Sequence, residues 1–177
     1  MTPPVLVTAP TDPVVALEDL KLHLRVDHDD EDDLIEALQA AAVAHLDGWK
    51  GVLGRAIKAQ TWRQEFTSSE TARLALPDVS AITATGYDAE GETVAVTTTL
   101  KSDYRGHYVE VTGPYDTVRI DYTCAMAAQQ LPAAQAAVKL LVGHWYENRE
   151  SVVIGQSVSN LPLAVEALVT AMRWADM

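Results

Sequence analysis

The sequence predicts an α+β protein: a helical bundle of about four helices, with a small antiparallel β lobe inserted between the second and third main helices. Three observations predict it. Apolar residues recur at helical spacing up to about residue 56, alternate along the segment 57–126, and return to helical spacing from 127 to 177. Hydrophobic residues make up 48% of the 177 positions and charged residues 21%, which is enough apolar side chain to bury a core. Cys124 is the single cysteine, so packing must hold the chain together without an internal disulfide or a cysteine zinc cluster.

The chain divides into an arm (1–16), a first half of the helical core (17–56), the β insert (57–126) and a second half of the core (127–177). Pro3, Pro4, Pro10 and Pro13 space the arm and resist regular structure there. Leu17, Leu20 and Leu24 mark a short helix running to Arg25. An acidic run, Asp27 to Asp33, then leads into a second helical face of Leu34, Ile35, Leu38, Ala41, Ala42, Leu46 and Trp49. Acidic residues suit a helix start, because they complement the positive end of the helix dipole, and Asp29 or Asp30 is the expected cap. Gly51 and Gly54 are expected to stop that helix.

From Ile57 the period becomes two. Gln60 to Phe66 puts Trp62 and Phe66 on one side, Ala72 to Leu76 alternates likewise, and Thr117 to Tyr122 is the clearest strand. Asp88 to Gly91 and Thr112 to Tyr115 read as turns. About five strands with one buried face are expected. After Ala127 a third helix carries Ala134, Val138, Leu141, Val142 and Trp145, with Pro132 in its first turn. A loop with Gly155, Ser157, Ser159 and Asn160 follows, and Pro162 opens a last helix with Val165, Leu168, Val169 and Met172.

The balance of 13 Lys+Arg against 25 Asp+Glu gives a net charge of −12, which argues against nucleic-acid binding as the main activity. Such binding draws on clustered cations that release counterions from phosphates. No run reaches the ~18 apolar residues of a membrane span, and the first residues lack the basic start and apolar run of a signal peptide. The acidic run is not a calcium loop: counted from Asp27, Asp32 stands where the turn glycine belongs and Leu38 where the closing glutamate belongs. His23, His28, His45, His107 and His144 form no zinc motif, since Asn148 replaces the histidine that would follow His144 and Glu147. Ser157 lacks the second glycine of a nucleophile elbow, and Cys124 sits among apolar neighbours at a strand end. No catalytic residue, metal site or cofactor is assigned.

Gly143 to Glu150 places aromatic and strongly hydrogen-bonding side chains all round a helix end. Trp145 is expected to pack inward, with Asp29, Asp30, Trp62 and Pro162 in structural roles. Tyr146 and Arg149 either solvate the helix end or meet another chain, as Tyr and Arg often do in interfaces. Val165, Leu168 and Met172 cover either a core or a partner, and Trp174 lies near the chain end. The expected contact set is Tyr146, Glu147, Arg149, Val165, Leu168, Met172, Arg173 and Trp174, and truncation after Pro162 is expected to leave a folded, or only modestly destabilised, body.

Several of these stretches share a family resemblance. Leu22 to Ile35, with its acidic run, resembles the opening signature of the phage head–tail connector (adaptor, head-completion) family. Gln60-Thr61-Trp62 is similar to the strand after that family's second helix. His144 to Glu150 and Leu161 to Leu168 are similar to its two closing helices, and the stretches occur in order from about residue 17 to 168. The β segment matches loosely, through Val79, Ile82, Tyr87, Asp88 and Gly91, and residues 169–177 follow no family pattern. The resemblance implies a non-enzymatic virion protein, made in the bacterial cytoplasm and placed at the head–tail junction of a phage, prophage or gene transfer agent. It implies a dodecameric ring beneath the portal protein that extends the DNA channel and supports stopper and tail-terminator proteins. DNA would pass without sequence-specific binding, and no membrane is involved. Two other readings are a small metal-dependent hydrolase using His23, His28 and His144, and an acidic regulatory or DNA-mimic module.

Overall fold

The computed structural model describes residues 2–67, 71–148 and 163–174. Four helices, α1 (Leu17–Leu24), α2 (Asp32–Leu46), α3 (Leu131–Glu147) and α4 (Leu163–Met172), combine with eight antiparallel strands. The strands are β1 (Val5–Thr8), β2 (Gln60–Thr67), β3 (Thr71–Arg73), β4 (Val79–Tyr87), β5 (Thr93–Val94), β6 (Thr97–Asp103), β7 (Gly106–Thr112) and β8 (Thr117–Cys124). One sheet has the order β1-β2-β8-β4-β5 and the other β3-β7-β6.

Two departures from expectation concern strands. Seven lie between α2 and α3, in two sheets rather than one set of about five. The arm contributes an eighth, since Val5 and Leu6 pair with Arg63 and Trp62. Pro3, Pro4 and Pro10 flank this edge strand instead of interrupting it, and an edge tolerates the missing N–H groups of neighbouring prolines. β8 alternates as its sequence predicts, burying Val118, Ile120, Tyr122 and Cys124. It lies between β2 and β4, with Trp62 opposite Tyr122 and Ala84 opposite Ile120. Trp62, Gln64 and Phe66 share the inward side of β2; Gln64 and Phe66 are buried and Trp62 is half-buried.

Two hydrophobic clusters result. One gathers Leu20, Ile35, Ala42, Leu46, Leu53, Val138, Leu141 and Val165 from the helices, with Val14 and Val15 just ahead of α1. The other gathers Phe66, Leu74, Leu76, Val109, Val118 and Ile120 from the strands. The backbone bond from Met126 N–H to Ala56 C=O, 2.7 Å, ties the chain entering the strands to the chain leaving them.

α2 starts and ends differently from expectation. Neither Asp29 nor Asp30 caps it: Glu31 is the N-cap residue and offers no side-chain cap bond. The Asp29 carboxylate instead accepts from Lys21 Nζ at 2.6 Å, and Asp30 is exposed. The helix stops at Leu46, so Trp49 leaves the helical face and is 39% exposed, and Ala41 points outward. Gly48, at φ +77°, makes the turn. Gly51 does not stop the helix but lets the chain fold back on it, because a Cβ there would lie 2.3 Å from Asp47 O. Val52 and Leu53 N–H then satisfy the carbonyls of His45 and Leu46.

Candidate assembly surfaces

The expected contact residues separate by burial. Val165, Val169 and Met172 are buried on one side of α4, in the helical cluster that includes Ala134, Val138 and Leu141 of α3. Leu168 is half-buried against the same cluster. Within one subunit, Val165 and Met172 are therefore core side chains. Glu147 and Arg173 are exposed, and Trp174 and Tyr146 are half-buried. Tyr146 O–H donates to the Glu31 carboxylate, joining the end of α3 to the start of α2. Trp145 is half-buried against the helical cluster. Arg149 and Pro162 lie outside the described residues.

The end of α4 is held by polar contacts that the apolar periodicity does not reveal. Arg55, 7% exposed, donates from Nη1 to Gln130 Oε1 at 2.6 Å and to the Met172 carbonyl at 3.2 Å. Its Nη2 pairs with Asp78 at 2.8 Å. A buried guanidinium needs such partners because it cannot shed its charge. One residue thus fastens α4, the entry to α3 and the loop before β4. Trp174 N–H donates to Leu53 C=O at 2.8 Å. A Cβ on Gly54 (φ +62°) would come within 2.9 Å of Trp174 O, and one on Gly106 within 3.1 Å of its indole. Trp174 therefore lies against both the loop after α2 and the β6–β7 turn.

The two ends of α2 differ in charge. At its start, residues 21–33 hold six carboxylates against Lys21 and Arg25. Lys21 Nζ lies 2.6 Å from Asp29 and 2.8 Å from Asp32, which raises the lysine pKa and lowers that of Asp29. Sequence reasoning missed this role, although Lys21 falls on the same helical stripe as Leu17, Leu20 and Leu24. Asp27, Asp30 and Asp33 stay exposed. At the far end, roughly 20 Å away for a 15-residue helix, stand Trp49 and Lys50, the β6–β7 turn with Tyr104 and Arg105, and Arg173 beside Trp174. Tyr104 is 82% exposed. Local carboxylates are already engaged: Asp103 receives two bonds from Arg73, at 2.9 and 2.6 Å. Asp47 accepts from Ile57 N–H and Gln60 Nε2, and burial raises its pKa above the usual aspartate value.

Among the described residues, no group of three His, Cys, Asp or Glu side chains could hold a metal ion. His23 packs near Gly143, and His28 Nδ1 lies 3.9 Å from Asp30. Cys124 is buried, and burial pushes its thiol pKa up to about 12, which favours the protonated form at neutral pH. An open groove of about 570 Å³ runs between the segment before α1 and α2, lined by Pro10, Pro13, Leu17, Val43 and Ala44. No described helix is long and apolar enough to cross a membrane.

Comparison with known proteins bears on the whole chain rather than on one pocket. The family described as "Phage gp6-like head-tail connector protein" matches residues 15–173. A solved structure titled "Neck of empty GTA particle computed with C6 symmetry" contains a chain with a similar fold, at TM-score 0.73 and 22% identity. The alignment covers 99% of this chain and 97% of that one. No curated protein matches at a significant level.

Proposed function

The chain belongs to the phage gp6-like head-tail connector family, and from that premise we propose that it is a structural subunit of the neck of a phage-like particle. Copies close into a ring below the portal protein, extend the DNA channel and give stopper and tail-terminator proteins a platform. The observation that carries this reading is the family match over residues 15–173, which takes in the four described helices, the whole strand cluster and all of the helical cluster except Val14. A twelve-membered ring is the stoichiometry proposed; the neck containing the similar chain was computed with C6 symmetry, of which twelve is a multiple.

The function is mechanical, so binding and orientation do the work and no covalent step is required. A ring of identical subunits needs two different surfaces on each copy, one per neighbour. The exposed Glu147 and Arg173, together with Tyr146, Leu168 and Trp174, and Arg149 from outside the described residues, are proposed to meet the ring or the portal. Val165 and Met172 take part by holding α4 in place, or directly if α4 is repacked on assembly. The chain's −12 charge suits a channel wall that DNA slides past, because like charge opposes retention of phosphates. Electron microscopy of particles, or of the protein mixed with portal, tests the reading. A ring of this fold at the portal vertex is the expected result. A vertex that assembles fully without the protein would overturn it, and a lumen lined by Lys and Arg would remove the sliding argument.

A further inference from the structure

We propose that the cation–aromatic end of one subunit, built from Lys50, Arg105 and Arg173 with Trp49, Tyr104 and Trp174, docks on the acidic start of α2 in the next copy of this chain. The inference rests on the ring reading above and gives its subunit contact a chemistry. Most described cations are spent within their own subunit: Lys21, Arg55, Arg63, Arg73, Lys101, Arg119 and Lys139 each lie within 4.0 Å of a carboxylate. Arg25, Lys50, Lys58, Arg105 and Arg173 have no such carboxylate among the described residues. Three of these five lie in the segments that meet at Trp174: Lys50 in the loop after α2 that carries Leu53 and Gly54, Arg105 next to Gly106, and Arg173 next to Trp174 itself. In a protein of net charge −12 that is a concentrated positive surface, and its aromatic rings are the side chains that anchor interface centres.

The occupant follows from charge complementarity. Residues 21–33 carry four negative charges in excess, with Asp27, Asp30 and Asp33 exposed. The two surfaces lie at opposite ends of α2. Pairing like with like, as a two-fold contact at either end would, sets equal charges against each other. Pairing opposite ends is attractive and head-to-tail, the arrangement that closes rings.

A charge exchange on the full chain tests this. One variant carries Arg105→Glu and Arg173→Glu; the second carries Asp30→Lys and Asp33→Lys. All four positions are exposed, so unchanged circular dichroism and melting temperature establish that each variant folds. Sedimentation and electron microscopy, at low and high salt, follow self-association. The wild-type chain should associate, more weakly as salt rises. Each variant alone should associate at least about tenfold more weakly, the scale expected when interfacial charge pairs are broken. An equimolar mixture of the two should recover assembly, because each reversed surface then meets a reversed partner. Variants that assemble as well as wild type overturn the inference while leaving the ring intact. A wild-type chain that stays monomeric in every salt also overturns it, and the ring is then judged by imaging the particle vertex. Should the Arg105→Glu, Arg173→Glu variant lose binding to a short duplex DNA but keep self-association, the patch faces nucleic acid and the inference fails.

Discussion

Gln64 shows how one buried polar side chain can organise a sheet. It is 1% exposed, and its Oε1 accepts from Tyr122 O–H at 2.9 Å and from Ala75 N–H at 2.9 Å. Tyr122→Phe removes one of these bonds and leaves Gln64 still paired, so a loss of about 1 kcal/mol is expected in urea unfolding. Gln64→Leu strands the buried Tyr122 hydroxyl and the part-buried Ala75 N–H and should cost more, about 2–4 kcal/mol, since each unsatisfied group carries its own desolvation penalty of roughly 1–3 kcal/mol. If the two variants lose equal stability, that network is misassigned. Cys124 offers a pH test. Its folded pKa is raised from 9.0 to about 12 by burial, so above pH 9 the unfolded chain releases the thiol proton and the folded chain retains it. Stability from this group is therefore complete below pH 9 and declines between pH 9 and 12. Thiol labelling at pH 8 should be negligible in the folded chain and rapid in denaturant. Alternation along 117–122 made the burial of Tyr122 legible in the sequence, but nothing local marked Gln64 as its partner, because the strand pattern says which way a side chain points and not what it meets.

At the scale of elements, the sequence leads one to expect that α4 can be removed with little loss of stability, and its packing argues otherwise. It buries Val165, Val169 and Met172, each worth about 1.5–3 kcal/mol when fully removed from water. Arg55 and Leu53 add bonds to its last carbonyl and to Trp174. Truncation after Pro162 is therefore expected to remove a sum comparable with the roughly 5–15 kcal/mol that stabilises a typical domain. The truncated chain should melt at a much lower temperature or lose its cooperative transition. A truncated chain that melts within a few degrees of the full chain would restore α4 as a detachable contact. The same joint predicts that Gly54→Val destabilises, because φ +62° disfavours a β-branched residue and a Cβ there meets Trp174 O at 2.9 Å. Helix identity was legible from spacing, whereas the ends of α2 were not. Its acidic start resembles a set of caps, yet Lys21 draws Asp29 away, and its glycines resemble a stop, yet Gly51 allows a return loop.

For the whole molecule, the charge balance predicts weak DNA binding: a duplex should show little retention at physiological salt, with a shallow salt dependence, because few cations are free to neutralise phosphates. Fluorescence anisotropy with a short duplex checks it, and tight, steeply salt-dependent binding would refute the sliding-channel reading. The sequence alone determined the order of helical and alternating segments, the negative charge and the family, because side-chain period and motif order are properties of the linear chain. Tertiary structure alone decided that β1 joins the sheet of β2, that the strands form two sheets, and that Val165 and Met172 lie inside the subunit. It also decided that Lys50, Arg105 and Arg173 share one end. These facts depend on contacts between residues far apart in the chain, as between Val5 and Arg63 or between Arg55 and Met172. Periodicity specifies which face an element buries, and only packing specifies the surface against which that face is buried.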